Sequence, residues 1–323
     1  MKKIKIFSAL ALTLALASCD NFELPNPPAQ SNPDPGVEGV FENSGLKLSQ
    51  GGADINLIEV SNKNENVAVA KIDELVNFPE GYDLRVDMQV AADDRFEKYA
   101  TVTTTVADDM VYVNPTDFDS AIQEAITKNP TKLNVSTRFV AYAERGTTLF
   151  RLGGMDEYYG RYQYSVKPLD PDKVLEQDYY LVGNFCNWDP KKAIKFTNTV
   201  AGANIYDNPV LAVRVEITEQ QGAAGYEFKV IPASSALAGN FDGALGCIAD
   251  ETGLAGKLAE APGQTQPGVL RVGAPMLITV NVQEDSYSIS YALDVLYPLS
   301  GTTLSKPDQA MLLYTDNYIT FSG

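Results

Sequence analysis

Histidine is absent from this chain of 323 residues. Ser-His-Asp and Cys-His catalysis, imidazole metal sites and His-based pH switches are therefore excluded. Acid–base chemistry would fall to carboxylates, Lys or Tyr. Basic residues are scarce, with 25 Lys+Arg against 42 Asp+Glu and a formal net charge of −17. Such a chain has no electrostatic footprint for nucleic acid and no attraction to anionic lipid surfaces. G-x-S-x-G, Walker A and EF-hand patterns are missing, and no D-x-D-x-D spacing offers a calcium loop. A glycosidase needs two carboxylates about 5–10 Å apart in a cleft. No strand-end carboxylate motif supplies them, and Asp250-Glu251 reads as a solvated loop pair. The expectation is a protein that is not an enzyme and uses no cofactor. Tryptophan occurs once, against 17 Tyr and 13 Phe, and cysteine three times.

Length sets a prior of about two or three domains, each able to bury a core. The first segment is an address. Lys2, Lys3 and Lys5 precede an apolar run from Ile6 to Ala17, which is too short to span a bilayer comfortably. The run ends in Leu16-Ala17-Ser18-Cys19, small residues before a Cys, resembling a bacterial lipobox. Residues 1–18 are then a lipoprotein signal peptide, and Cys19 carries the lipid. Each buried acyl CH₂ adds about 0.8 kcal/mol of membrane affinity. Cleavage removes three Lys and no acid, leaving 22 basic against 42 acidic groups and a net charge of −20. Residues 19–39 contain five Pro and few apolar side chains, which describes a flexible tether.

Residues 40–168 are mainly strand-like. Leu84, Val86, Met88 and Val90 alternate onto one face, as do Leu133, Val135, Thr137, Phe139 and Ala141. Phe118, Ala121, Ile122, Ala125 and Ile126 fall at helical spacing; Thr116 or Asp117 would cap that helix and Asn129-Pro130 would end it. An immunoglobulin-like β-sandwich with one helical crossover fits. Tyr158, Tyr159, Tyr162 and Tyr164 read as a strand with aromatic partners, or as a sugar platform. A second β pattern occupies 172–295, with alternation in Leu211–Thr218, Tyr226–Ile231 and Ser286–Tyr291 and no strong helix. Residues 296–323 hold two further strands, completing a sheet or opening a truncated module. The fold class is all-β, with tandem immunoglobulin-like β-sandwich domains behind a lipidated, Pro-rich tether.

The lone Trp lies in Gly183-Asn184-Phe185-Cys186-Asn187-Trp188-Asp189-Pro190, directly after the Tyr179–Gly183 strand. Tyr226-Glu227-Phe228-Lys229 follows some forty residues later. A G-x-F-x-x-W-[DN]-P turn with a downstream Y-x-F-K strand resembles starch- and glycogen-binding β-sandwich modules. Leader, tether, sandwich and motif in this order resemble SusE/SusF-type outer-membrane lipoproteins of Bacteroidetes. The resemblance implies a polysaccharide or oligosaccharide ligand, with Trp188 as stacking platform, Lys229 as hydroxyl donor and Asn187 beside them. Phe241 stands where these families often place a second Trp, and Gly268 where they often have an Asn. It also implies a lipid-anchored, surface-exposed place on the outer membrane beside a SusC/SusD-type uptake complex. The alternative is a structural or assembly lipoprotein that keeps the fold without binding sugar. Cys186 and Cys247 leave two readings open, an extracytoplasmic disulfide or two buried thiols. Separated by 60 residues and without His, they make a poor zinc site.

Overall fold

A computed structural model describes residues 41, 44–215, 226–248, 253–260, 265–270, 276–291, 312–315 and 318–321. The leader, Cys19, the tether and Asp250-Glu251 lie outside the described residues. The chain forms two compact units. The first comprises Met1–Ala121 and Lys132–Lys167, the second Ile122–Thr131 and Pro168–Gly323.

In chain order the first part runs β1 (Lys47–Gln50), β2 (Asp54–Asn56), α1 (Leu57–Asn62), β3 (Val67–Glu74), β4 (Asp83–Ala91), β5 (Tyr99–Thr103), β6 (Thr105–Ala107), β7 (Met110–Val113), α2 (Pro115–Ala125), β8 (Leu133–Arg145), β9 (Thr148–Arg151) and β10 (Tyr159–Lys167). Two sheets result. One has the order β1-β3-β7-β6; the other is six-stranded, β2-β10-β8-β4-β5 with β9 on β8. Of the two predicted inward faces, Val86, Met88, Val90, Val135, Thr137, Phe139 and Ala141 are buried, while Leu84 and Leu133 near the strand starts are half-buried; the opposite face is covered too, with Asp87, Gln89, Ser136 and Arg138 buried. Two tyrosines of β10 tie the sheets together. Tyr162 donates to Leu48 O at 2.5 Å, and Tyr164 donates to Val69 O. Burial pushes the Tyr164 phenol far above its ordinary range. These two are therefore packing residues rather than a sugar platform.

Helix α2 buries Phe118, Ala121, Ile122 and Ala125, four of the five positions its periodicity predicts, while the fifth, Ile126, lies past its end and is half-buried. Its cap differs from expectation. The Asn114 side chain accepts from Thr116 N–H at 2.9 Å, and Pro115 opens the helix, where a missing N–H costs nothing. The helix also stops at Ala125, short of Asn129-Pro130.

The second part runs β11 (Tyr179–Gly183), β12 (Ile194–Lys195), β13 (Thr197–Asn198), β14 (Val210–Val215), β15 (Tyr226–Pro232), α3 (Ala233–Ala238), β16 (Gly246–Ile248), β17 (Ala255–Ala259), β18 (Thr265–Gln266), β19 (Gly268–Leu270), β20 (Met276–Asn281), β21 (Ser286–Tyr291), β22 (Leu312–Thr315) and β23 (Tyr318–Phe321). The sheet β12-β11-β15-β19 faces the sheet β13-β14-β20-β21-β17-β16-β18 across one apolar core, while β22 and β23 pair with each other. Leu181, Phe228 and Val230 enter that core from the first sheet; Leu211, Val213, Ile278 and Val280 enter from the second. The short helix α3 was not expected from the sequence. It runs from Pro232 to a left-handed Gly239 at φ +76°.

Packing demands a glycine at Gly268, where the modules that this chain resembles often have an Asn. A Cβ at 268 would overlap the Phe228 ring and come within 2.7 Å of Cys247 Sγ. A side chain here would point into the core. Gly268→Ala should lower stability by about 1–3 kcal/mol through overpacking, read as a lower midpoint in thermal unfolding. An unchanged midpoint would show that the core has room to spare.

Candidate functional site

The motif after β11 is a turn in which each residue has a separate backbone task. Gly183 is extended (φ −172°), so its role is not a special dihedral. A Cβ there would overlap the Glu227 carbonyl oxygen of β15 and the Phe185 ring. Asn184–Cys186 then form one turn of 3₁₀ helix. The Cys186 thiol closes it, accepting from Gly183 N–H at 3.4 Å and donating to Gly183 O at 3.2 Å. Phe185 packs its partly buried ring against the core. The Asn184 carboxamide oxygen accepts from Glu227 N–H at 3.2 Å and pins the turn to β15.

Asn187 and Trp188 both lie in the left-handed region, at φ +55° and +53°. Two consecutive residues with side chains in that region carry local strain of order 1–3 kcal/mol each. The surrounding bonds hold them there. Asn187 N–H donates to Asn184 O at 3.1 Å, and Trp188 N–H donates to Gly183 O at 2.9 Å. Asp189 then caps the next 3₁₀ turn by accepting from Lys191 N–H at 3.1 Å, with Pro190 at its first position. The strained pair turns the indole out of the sandwich. Trp188 is half-buried and Asn187 exposed.

The register sets the second half of the site. β11 and β15 are antiparallel, with Val182 opposite Lys229 and Gly183 opposite Phe228. Phe228 faces the core, so Lys229 lies on the outer face with Val182 and Ile231, where it is half-buried. A small apolar cluster covers this face: Val182, Cys186, Ile231 and Ala244. Tyr180, Phe185, Ala193 and Ala236 pack against it, while Trp188 and Phe241 belong to neither group. The Trp188 and Phe241 ring centroids are 6.5 Å apart with planes tilted by 53°. Phe241 is 41% exposed, so the pair is open to solvent. Behind Phe241, Asn240 and Asp242 hydrogen-bond each other at 2.7 Å.

The structure thus brings Trp188 and Phe241 together, and it sets Lys229 on the outer face of β15 opposite Val182, in the strand that leads into the Trp188 turn. It does not join the cysteines. Cys186 is buried in the outer cluster and Cys247 in the central core, so the sheet containing β11 and β15 separates them, and no disulfide forms. This corrects the disulfide alternative: Cys186 sits in the 3₁₀ turn that packs on the outer side of the β11–β15 sheet, while Cys247 enters the core from β16 of the opposing sheet, which their spacing in sequence does not show. The sequence reading also missed Lys191. Its stem packs where a side chain on Gly239 would sit, beside the chain leading to Phe241. Its place in the Trp-Asp-Pro-Lys run was the available signal. Among the described residues no group of three or more Cys, Asp or Glu side chains could hold a metal ion.

Residues 174–291 match the family model described as SusF, first starch-specific CBM (carbohydrate-binding module). The SusE/SusF-type resemblance carried by the GxFxxW turn holds over this segment. No curated protein matches the chain. Among solved structures, the crystal structure of SusF from Bacteroides thetaiotaomicron matches with 18% identity and a TM-score of 0.37. The match covers 76% of this chain and spans 51% of that one.

Proposed function

We propose that the outer face of β11 and β15 binds a starch-like polysaccharide, and that the protein is a surface lipoprotein anchored through Cys19. The observation that carries this reading is the open Trp188–Phe241 pair. Sugar rings present apolar C–H faces that stack on aromatic rings and shed water from both. Two rings tilted by 53° suit a chain that curves from one sugar to the next, rather than a flat ribbon. The Lys229 ammonium, with three donors, supplies hydroxyl partners on the same face, and the exposed Asn187 carboxamide adds another. A Trp presented from a strained left-handed backbone beside an exposed Phe is difficult to account for as packing alone. The proposed role is to hold glycan at the cell surface for a SusC/SusD-type uptake complex. A net charge of −20 after processing would keep such an ectodomain soluble and self-repelling.

The second reading is a structural or assembly lipoprotein that keeps the module fold without a ligand. Affinity electrophoresis of the full chain against starch, glycogen and unrelated polysaccharides separates the two. Retardation by starch or glycogen is expected, weakened about tenfold in Lys229→Ala through loss of a charge-assisted hydrogen bond. If no polysaccharide retards the wild type, the structural reading stands in its place.

A further inference from the structure

The outer face of the six-stranded sheet in the first unit concentrates positive charge in a chain whose net charge is −17. Strand register aligns Gln89 of β4, Arg138 of β8 and Arg161 of β10 in one row. Arg138 is only 8% exposed. Its Nε donates to Gln89 Oε1 at 2.7 Å, and its guanidinium carbon lies 3.6 Å from the Tyr158 ring centroid and 4.3 Å from that of Phe96. The Arg151 and Arg161 guanidinium carbons lie 5.3 and 5.8 Å from the same Tyr158 ring. Three cations therefore surround one phenol.

None of the three belongs to an ion pair among the described residues. Asp87, two positions along β4 on the same face, is already engaged by Arg85 through two hydrogen bonds of 3.1 Å. Cation–π attraction offsets part of the repulsion. Like charges directly opposite on neighbouring strands still destabilise a sheet. The Nη groups of Arg138 make no hydrogen bond, and they are not among the buried polar atoms without partners, so they reach solvent. Phe96 holds its ring near Arg138 from a left-handed backbone at φ +55°, a strained conformation for a residue with a Cβ. Tyr99 lies beside the row, 45% exposed, with its ring 5.4 Å from the Arg138 guanidinium.

We propose that Arg138 and Arg161 form an anion subsite that takes the carboxylate of a uronic-acid saccharide, with Tyr99 as the platform for its ring. A guanidinium fork matches a carboxylate in two parallel hydrogen bonds, and a buried fork is already ordered for the task. An exposed ring next to the fork matches the apolar face of the sugar bearing that carboxylate. The site belongs to the first unit and does not rest on the reading of Trp188.

Calorimetry on the full chain tests the proposal with a galacturonic-acid oligomer, a neutral maltooligosaccharide of equal length, and sodium sulfate. The acidic oligomer should bind, more weakly as salt rises. Its affinity should fall about tenfold in Arg161→Gln, fall similarly in Arg138→Gln and Tyr99→Ala, and stay unchanged in Trp188→Ala. Arg161 is exposed, so that variant keeps the test valid if the buried Arg138→Gln fails to fold. Absence of binding, or equal binding by Arg161→Gln, overturns the proposal. Displacement of the oligomer by sulfate together with a neutral Tyr99→Ala overturns the saccharide assignment. Loss in Trp188→Ala would move the site to the second unit.

Discussion

Trp188→Ala should weaken binding of a starch oligosaccharide by about thirtyfold, close to 2 kcal/mol, while the chain remains folded. The indole belongs to neither apolar cluster of the second unit, and its ring contact is with the exposed Phe241. Its truncation therefore leaves the sandwich core intact. The backbone bonds of the turn also survive, because Trp188 contributes to them through its N–H to Gly183 O. Phe241→Ala removes the smaller of the two rings and should cost less, about tenfold. Calorimetric titration with a maltooligosaccharide, beside a thermal melt, separates loss of binding from loss of fold. Equal affinity in wild type and Trp188→Ala would remove the aromatic pair from the binding site.

The largest stability effect is expected at Phe228, the residue before the candidate donor Lys229. Its side chain is fully buried, meets Tyr287 edge to face at 6.0 Å, and fills the space left by Gly268. Phe228→Ala leaves a cavity that rigid neighbouring strands cannot close, at a cost of about 3–5 kcal/mol. For a module of this size the midpoint of unfolding should fall by about 10 °C or more, measured by differential scanning calorimetry. A loss below about 1 kcal/mol would mean that Phe228 is not a keystone of the core.

Much of the second unit was legible because its motif is dense with backbone demands. The turn was placed from its resemblance to G-x-F-x-x-W-[DN]-P modules, and the structure supplies the reason for the pattern: Gly183 needs close approach, Phe185 a core contact, Asp189 a cap and Pro190 a first helical position. Helix α3 could not be. Its capping group is the carboxylate of Glu176, which accepts from Ser234 N–H at 2.8 Å from far back in the chain. A cap supplied by tertiary contact leaves no local pattern. The cap of α2 was displaced for a related reason, since the polar side chains of Asn114, Thr116 and Asp117 flank Pro115 and only the structure shows that Asn114 wins. The Arg138 row was hidden too. Phe96, Arg138 and Tyr158 are widely spaced in sequence and meet through strand register and packing. The four tyrosines near 160 looked alike and divide by face. Tyr162 and Tyr164 bond inward to backbone, while Tyr158 collects guanidinium groups.

The placement of Cys186 and Cys247 on opposite faces of one sheet also bears on where the second unit can fold. A bond between them would require that sheet to open, so its native state contains no covalent link that an oxidising compartment must install. Reductant should leave the module's stability unchanged.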